Sequence, residues 1–269
     1  MPDSETKAQQ MTFWDHLQEL RVRLVRCIII LAAGFAVTFA FRFRLWEWVQ
    51  RPLIEIYLLQ LQKSGGAVPE VFEPFSFTGI SEPFFSLLRI AFWAAGFLVA
   101  PLIFYQVWAF IRPGLYERER RMVIPFVLIT TLCFLGGAIF AYVYAFKLIA
   151  GVLVDQAIIA GLRPNLRLDE YLDLFINTLV GTGLIFEMPV LVYFLARFRL
   201  ITAKWMLKYC RHAALVILVV AAFITPGDII VATVFLGLIM IGLYFISVLA
   251  AWLAEPKNDR GQGSGARVG

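Results

Sequence analysis

Acidic side chains stand at three places in this 269-residue chain where their surroundings call for a partner. The first is Phe13-Trp14-Asp15-His16-Leu17-Gln18-Glu19-Leu20-Arg21-Val22-Arg23-Leu24. Phe13, Leu17, Leu20 and Leu24 recur at i, i+4, i+7 and i+11, one apolar helical face, while His16, Glu19 and Arg23 share another. On one reading this is an interfacial helix whose Glu19–Arg23 pair adds roughly 0.2–0.5 kcal/mol. On the other, Glu19 is free to hold a cationic ligand at the membrane surface. The second place is Arg112-Pro113-Gly114-Leu115-Tyr116-Glu117-Arg118-Glu119-Arg120-Arg121. Pro113-Gly114 stops a helix and the following segment starts one, so Glu117 and Glu119 sit near a positive dipole end. They are caps, or else Glu119 is a second carboxylate in the same layer as Glu19. The third is Glu187, inside the apolar run Gly181-Thr182-Gly183-Leu184-Ile185-Phe186-Glu187-Met188-Pro189. A charge at mid-bilayer costs roughly 2.5–3.5 kcal/mol on insertion scales, so such a residue lines an interior or a wet cavity. Pro189 also frees the carbonyl of Ile185, which a protonated Glu187 could instead satisfy.

Two further groups are weaker signals. Arg89 near Glu82 reads as a snorkelling side chain or a local pair. Thr225-Pro226-Gly227-Asp228 is a turn sequence that sets Asp228 between two apolar runs. No glycine is followed by lysine, which excludes a Walker A loop, and GxSxG and HExxH are absent. Cys27, Cys133 and Cys210 lack CxxC spacing and read as small hydrophobes. No catalytic residue, metal or cofactor is expected, and any energy for work must come from an ion gradient or a partner.

The elements that must position these residues follow from composition. Hydrophobic residues make up 61% of the chain and charged ones 16%, with a mean hydropathy of +0.79. Soluble domains sit near half apolar and a quarter charged, so the expected solvent is a bilayer. A spanning helix needs about 20 mostly apolar residues. The runs 24–41, 83–111, 122–146, 172–196 and 229–254 fit or nearly fit, and a shorter one covers 213–225. The fold expected is all-α and polytopic, with six transmembrane helices in one domain, 1–254, the last two forming a short hairpin.

With both termini inside, sixteen Lys and Arg fall on the inner side and seven on the outer, Arg89 set aside. That asymmetry places both ends in the cytoplasm. The net charge of +5 therefore concerns topology, and no nucleic-acid partner is expected. No small-x-small site follows the first span, so no cleaved leader is expected. Residues 255–269 are rich in Gly and charge and read as a disordered cytoplasmic tail. The outer loop 43–81 holds an amphipathic piece from Leu45 to Leu61, whose tryptophans suit a headgroup-level cap.

Taken in order, these segments resemble the TatC family, the receptor subunit of the twin-arginine protein translocase. The motifs are His16-Leu17-x-Glu19-Leu20-Arg21-x-Arg23, Pro83-Phe84-Phe85 with Arg89, and Pro101 followed by Tyr105-Gln106-Val107-Trp108-Ala109-Phe110-Ile111-x-Pro113. They continue as Leu115-Tyr116-x-x-Glu119-Arg120-Arg121, Phe186-Glu187-x-Pro189 and Thr225-Pro226-x-Asp228. The resemblance implies an inner-membrane protein that recognises paired-arginine signal peptides on folded cargo. It also implies work with the single-span partners TatA and TatB under the proton-motive force, as a homo-oligomer within the complex. By the same resemblance Glu19 and Glu119 are the carboxylates for the arginine pair, and Arg21, Arg23 and Phe110 belong to that patch. Glu187 with Pro189 is an intramembrane polar site facing a concave groove, and Thr225 and Asp228 belong to a partner-helix contact. The sixth span departs from the family pattern, with Ala232 where Gln is usual and an apolar run around Leu238–Tyr244. That argues against carrying a polar role over to it.

Two other functions compete. An ion-coupled small-solute carrier would use Glu187 as a protonatable site, but carriers commonly show repeated halves and this chain shows none. A scaffold that gathers single-span helices would tolerate loss of both Glu19 and Glu119.

Overall fold

The computed structural model describes residues 13–63, 75–111, 123–160, 166–224 and 230–255. Helices dominate: α1 (Phe13–Ala40), α2 (Arg42–Lys63), α3 (Glu82–Ile111), α4 (Val123–Phe140), α5 (Phe146–Ile159), α6 (Leu168–Phe186), α7 (Met188–Arg197), α8 (Ala203–Lys208), α9 (Cys210–Ile224) and α10 (Ile230–Ala254). Five helical stretches are long and apolar enough to cross a membrane, Trp14–Ala40, Glu82–Ile111, Ile124–Ala157, Leu168–Arg197 and Thr233–Ala254. A shorter apolar helix covers Cys210–Ala222. The chain is a polytopic helical membrane protein in a six-span arrangement. It forms two compact units, Met1–Phe41 with Ala91–Thr131, and Arg42–Ile90 with Leu132–Gly269.

In the first unit α1 lies against the later half of α3 through small residues. Ala91 and Ala95 are fully buried, and a Cβ added at Gly34 would stand 2.6 Å from Val99 Cγ1. The Thr38 hydroxyl donates across the seam to the Ala91 carbonyl at 2.7 Å. Between helices in lipid there is no hydrophobic drive, so close backbone approach and hydrogen bonds of this kind hold the pair. Deeper in the unit, Trp108 stacks on Phe126 at 5.2 Å and its indole N–H donates to Thr130 Oγ1 at 3.1 Å.

The second unit has two centres of packing. One gathers α2, α5 and α6. Pro52 lies inside α2 and cannot donate to the carbonyl four residues back, that of Trp48. The Tyr142 hydroxyl donates to that carbonyl at 3.0 Å. Beside it, the Tyr171 hydroxyl donates to the Val49 carbonyl at 2.5 Å. Tyr142 reaches α2 from a π-helical segment, Ala141–Ala145, that joins α4 to α5. Tyr142→Phe should therefore lower stability by about 0.5–1.5 kcal/mol, the net worth of one hydrogen bond, read as a drop in the detergent melting temperature. The second centre packs α7, α8, α9 and α10 around Val192, Ala196, Met206, Ile217, Ala221, Met240 and Tyr244. Tyr244 donates to the Met206 carbonyl at 2.7 Å, and the fully buried Ser247 donates to Leu243 at 2.7 Å. In the sixth span these two hydroxyls are thus spent on backbone acceptors.

Several expectations need correcting. The amphipathic start and the first span are one helix, because no Pro or Gly interrupts the chain before Gly34. The third span is expected at 122–146, and the helix that carries it continues to Ile159. Lys147 ended the apolar count but not the helix, since its ammonium pairs with Glu55. The apolar part alone, Ile124–Ala157, has 34 residues and at 1.5 Å each runs about 50 Å, well beyond a hydrocarbon core of roughly 30 Å. Two short parallel strands, β1 (Phe75–Ser76) and β2 (Leu166–Arg167), had no counterpart in the sequence reading. Arg89 does not pair with Glu82 but with Asp173. Glu82 instead accepts from the Thr78 N–H at 2.8 Å and the Gly79 N–H at 3.3 Å, closing the turn before α3. Glu255, assigned to the tail, accepts from the Ala203 N–H at 2.7 Å and caps α8. The remainder of the tail, 256–269, lies outside the described residues.

Candidate functional site

The first site is built in the first unit from the His16, Glu19 and Arg23 face of α1 and from Gln106 and Phe110 on α3. Spacings of three and four residues put the first three on one stripe, and i, i+4 does the same for the last two. His16 stacks on Phe110, ring centroids 4.3 Å apart and planes inclined by 17°. Arg23 Nε and Nη2 both donate to Glu19 Oε1, at 2.9 and 2.5 Å. Its Nη1 reaches Gln106 Oε1 at 3.4 Å. The two charged side chains are only 19% and 18% exposed, so this pair is less screened than a surface one. The other carboxylate oxygen of Glu19, Oε2, is buried and has no hydrogen-bond partner among the described residues. A buried carboxylate oxygen without a donor is costly, so this site has one acceptor to fill.

Arg21 is exposed and, two residues from Glu19, does not face it. Glu119 lies outside the described residues, as do Thr225 and Asp228. The structure therefore joins Glu19, Arg23 and Phe110, and adds His16 and Gln106. The sequence reading had quoted Gln106 inside a motif without giving it a role; its spacing of four before Phe110 was the available signal.

The second site lies in the second unit at the break between α6 and α7. Pro189 is at the start of α7, where a proline is tolerated because no N–H is needed. Glu187 occupies the junction, and its N–H turns back to the Leu184 carbonyl at 3.1 Å. Its carbonyl accepts from Val190 at 3.1 Å and Leu191 at 3.0 Å. The side chain is 5% exposed and Oε1 has no hydrogen-bond partner among the described residues. Thr182, one turn earlier, is 1% exposed with an unpartnered hydroxyl. The position is set by a close crossing of α4 and α6. A Cβ on Gly137 would lie 2.8 Å from Phe186 Cβ and 3.0 Å from Gly183 Cα, and one on Gly183 would meet Phe134 at 2.9 Å. Glycine at both positions lets the two backbones touch and packs the carboxyl against the neighbouring helix.

Comparison with known proteins bears on both sites. Residues 15–238 match the family model described as Sec-independent protein translocase protein (TatC). The chain is 37% identical over 257 residues to the Sec-independent protein translocase protein TatC of Koribacter versatilis, covering 96% of this chain and 91% of that one. It is 34% identical to the protein of the same name from Campylobacter jejuni, covering 90% and 94%. Among solved structures, a crystal structure of the twin arginine translocase receptor TatC superposes with a TM-score of 0.73 at 30% identity, covering 89% of this chain and 99% of that one. The match spans α1 through the first third of α10, and so includes both sites: this chain belongs to the TatC family of protein translocase components, multi-pass proteins of the inner membrane.

Proposed function

We propose that this chain is the receptor subunit of the twin-arginine translocase. It binds the paired arginines of a signal peptide on folded cargo with Glu19 and Glu119, and both of its termini are cytoplasmic. The observation that carries this reading is Glu19 Oε2, a buried carboxylate oxygen with no donor among the described residues. A guanidinium brings several N–H groups in a fixed fork, so one arginine of the peptide supplies the missing donor and Glu119 takes the other. Arg23, which already holds Oε1, fixes the carboxylate so that its open oxygen is presented in one direction. Arg21 and Phe110 complete the patch. TatA and TatB are the single-span partners, meeting the chain at Thr225 and Asp228, and several copies assemble in the complex. Glu187 with Pro189 is a polar site met by the inserted part of the peptide or by a partner helix, and the proton-motive force drives export.

The peptide side of the contact gives the test. Photo-crosslinking from probes placed between Phe13 and Arg23 should capture a twin-arginine peptide. A twin-lysine peptide should be captured about tenfold or more weakly, because an ammonium lacks the planar fork. Equal capture of both peptides would end the carboxylate assignment.

A further inference from the structure

The α9–α10 seam of the second unit carries a feature that neither site uses. A cavity of about 180 Å³ is lined by Cys210, Ala214 and Ile217 on α9 and by Ile241, Tyr244 and Phe245 on α10, with Arg211 among its lining residues. Cys210, Ala214 and Ile217 are spaced i, i+4 and i+7, so the slot runs about 10 Å along the helix. Its walls are apolar. The Tyr244 hydroxyl, which could have made it polar, is committed to the Met206 carbonyl. An apolar groove of that kind, open along one side, favours hydrocarbon over water.

At the Cys210 end of the slot the chemistry reverses. Lys204, Lys208 and Arg211 follow one another at i, i+4 and i+7 across the α8–α9 junction, and all three are exposed. Among the described residues none of the three has an acidic partner within salt-bridge distance. Glu255, at the end of α10, accepts from the Ala203 N–H of α8. Beside the cations runs a row of rings, Trp205 to Tyr209 at 5.1 Å and Tyr209 to His212 at 5.9 Å, of the kind that sits at headgroup level. An uncompensated cationic row, an interfacial aromatic row and a dry apolar slot beneath them match, in that order, the headgroup, glycerol level and acyl chain of one molecule.

We propose that this seam is a binding site for an anionic diacyl phospholipid, its phosphate held by Lys204, Lys208 and Arg211 and one acyl chain seated between Ala214, Ile217, Ile241 and Phe245. Cations near a membrane surface add attraction for anionic lipid in proportion to their number, and the slot makes the attraction specific to a phosphate that carries a chain.

The test uses the full chain purified in detergent and exchanged into mixed micelles of phosphatidylcholine and phosphatidylglycerol, with retained lipid quantified by native mass spectrometry. The intact chain should retain phosphatidylglycerol over phosphatidylcholine about tenfold or more. K204Q/K208Q/R211Q should bring the two to parity. Ala214→Leu, which fills the slot but leaves the cations, should also abolish the preference. Its melting temperature without lipid, unchanged from that of the intact chain, confirms that it folds. Glycerol phosphate, the headgroup chemistry without a chain, should compete at least a hundredfold more weakly than the lipid. Equal retention of both lipids by the intact chain would overturn the proposal. So would an undiminished preference in Ala214→Leu, or competition by glycerol phosphate as strong as by lipid, since either would reduce the site to diffuse surface charge.

Discussion

Glu19→Gln will weaken capture of a twin-arginine peptide by about 10- to 100-fold while leaving the protein folded. The substitution keeps the shape of the side chain and removes its charge. Hydrogen bonds to a charged group contribute about 1.5–3 kcal/mol each, against about 1 kcal/mol for neutral ones. The loss falls on the peptide more than on the fold, because Oε2 has no hydrogen-bond partner among the described residues. Arg23 can still donate to the amide oxygen in place of Oε1, at the cost of charge assistance in an i,i+4 pair. Two readouts check this. Dissociation constants from fluorescence anisotropy should rise by the stated factor, and their salt dependence should flatten, since one screened attraction has been removed. A variant that binds as tightly as the parent would show that Glu19 serves only Arg23.

The second large effect concerns two adjacent glycines that look alike in the sequence and differ in the fold. Gly136 has nothing within 4 Å of where a Cβ would stand, whereas a Cβ on Gly137 would sit 2.8 Å from Phe186 and 3.0 Å from the Gly183 backbone. Gly136→Ala should be neutral or stabilise by about 0.5–1 kcal/mol, the helix-interior cost of glycine relative to alanine. Gly137→Leu should destabilise by about 3 kcal/mol or more, since overpacking is worst where the obstacle is backbone. Thermal unfolding in detergent, measured on both variants side by side, reads the contrast. Similar melting temperatures for the two would mean that α4 and α6 do not cross where described. The same crossing sets the environment of Glu187, so Gly137→Leu should also expose that carboxyl to labelling by a water-soluble carbodiimide.

The spans were legible where apolar length and a stop signal agreed. Pro113-Gly114 and Pro226-Gly227-Asp228 lie outside the described residues, and the break at Glu187 followed from Pro189. Lys147 ends the apolar count while the helix runs on to Ile159, and its pairing with Glu55, 92 residues away, is a contact that local spacing does not reveal. For Arg89 the observed partner, Asp173, is likewise distant, 84 residues away, and local spacing offered only Glu82. Strands of two residues each carry no periodicity and could not be seen. Within the first site, the stripe of His16, Glu19 and Arg23 was legible from helical spacing alone, and so was the spacing of Gln106 and Phe110. That the two stripes meet is a tertiary fact, fixed by the small-residue seam of Gly34, Ala91 and Ala95 further along the same pair of helices.

The bond from Tyr142 to α2 ends on a main-chain oxygen. A contact of that kind is blind to which amino acid occupies position 48, because every residue carries the same carbonyl. Trp48, exposed as it is, is therefore open to drift. Selection is displaced onto the imino acid at position 52, which leaves the oxygen vacant, and onto the phenol that fills it. In related chains these two positions should be lost or kept together, with position 48 free to vary.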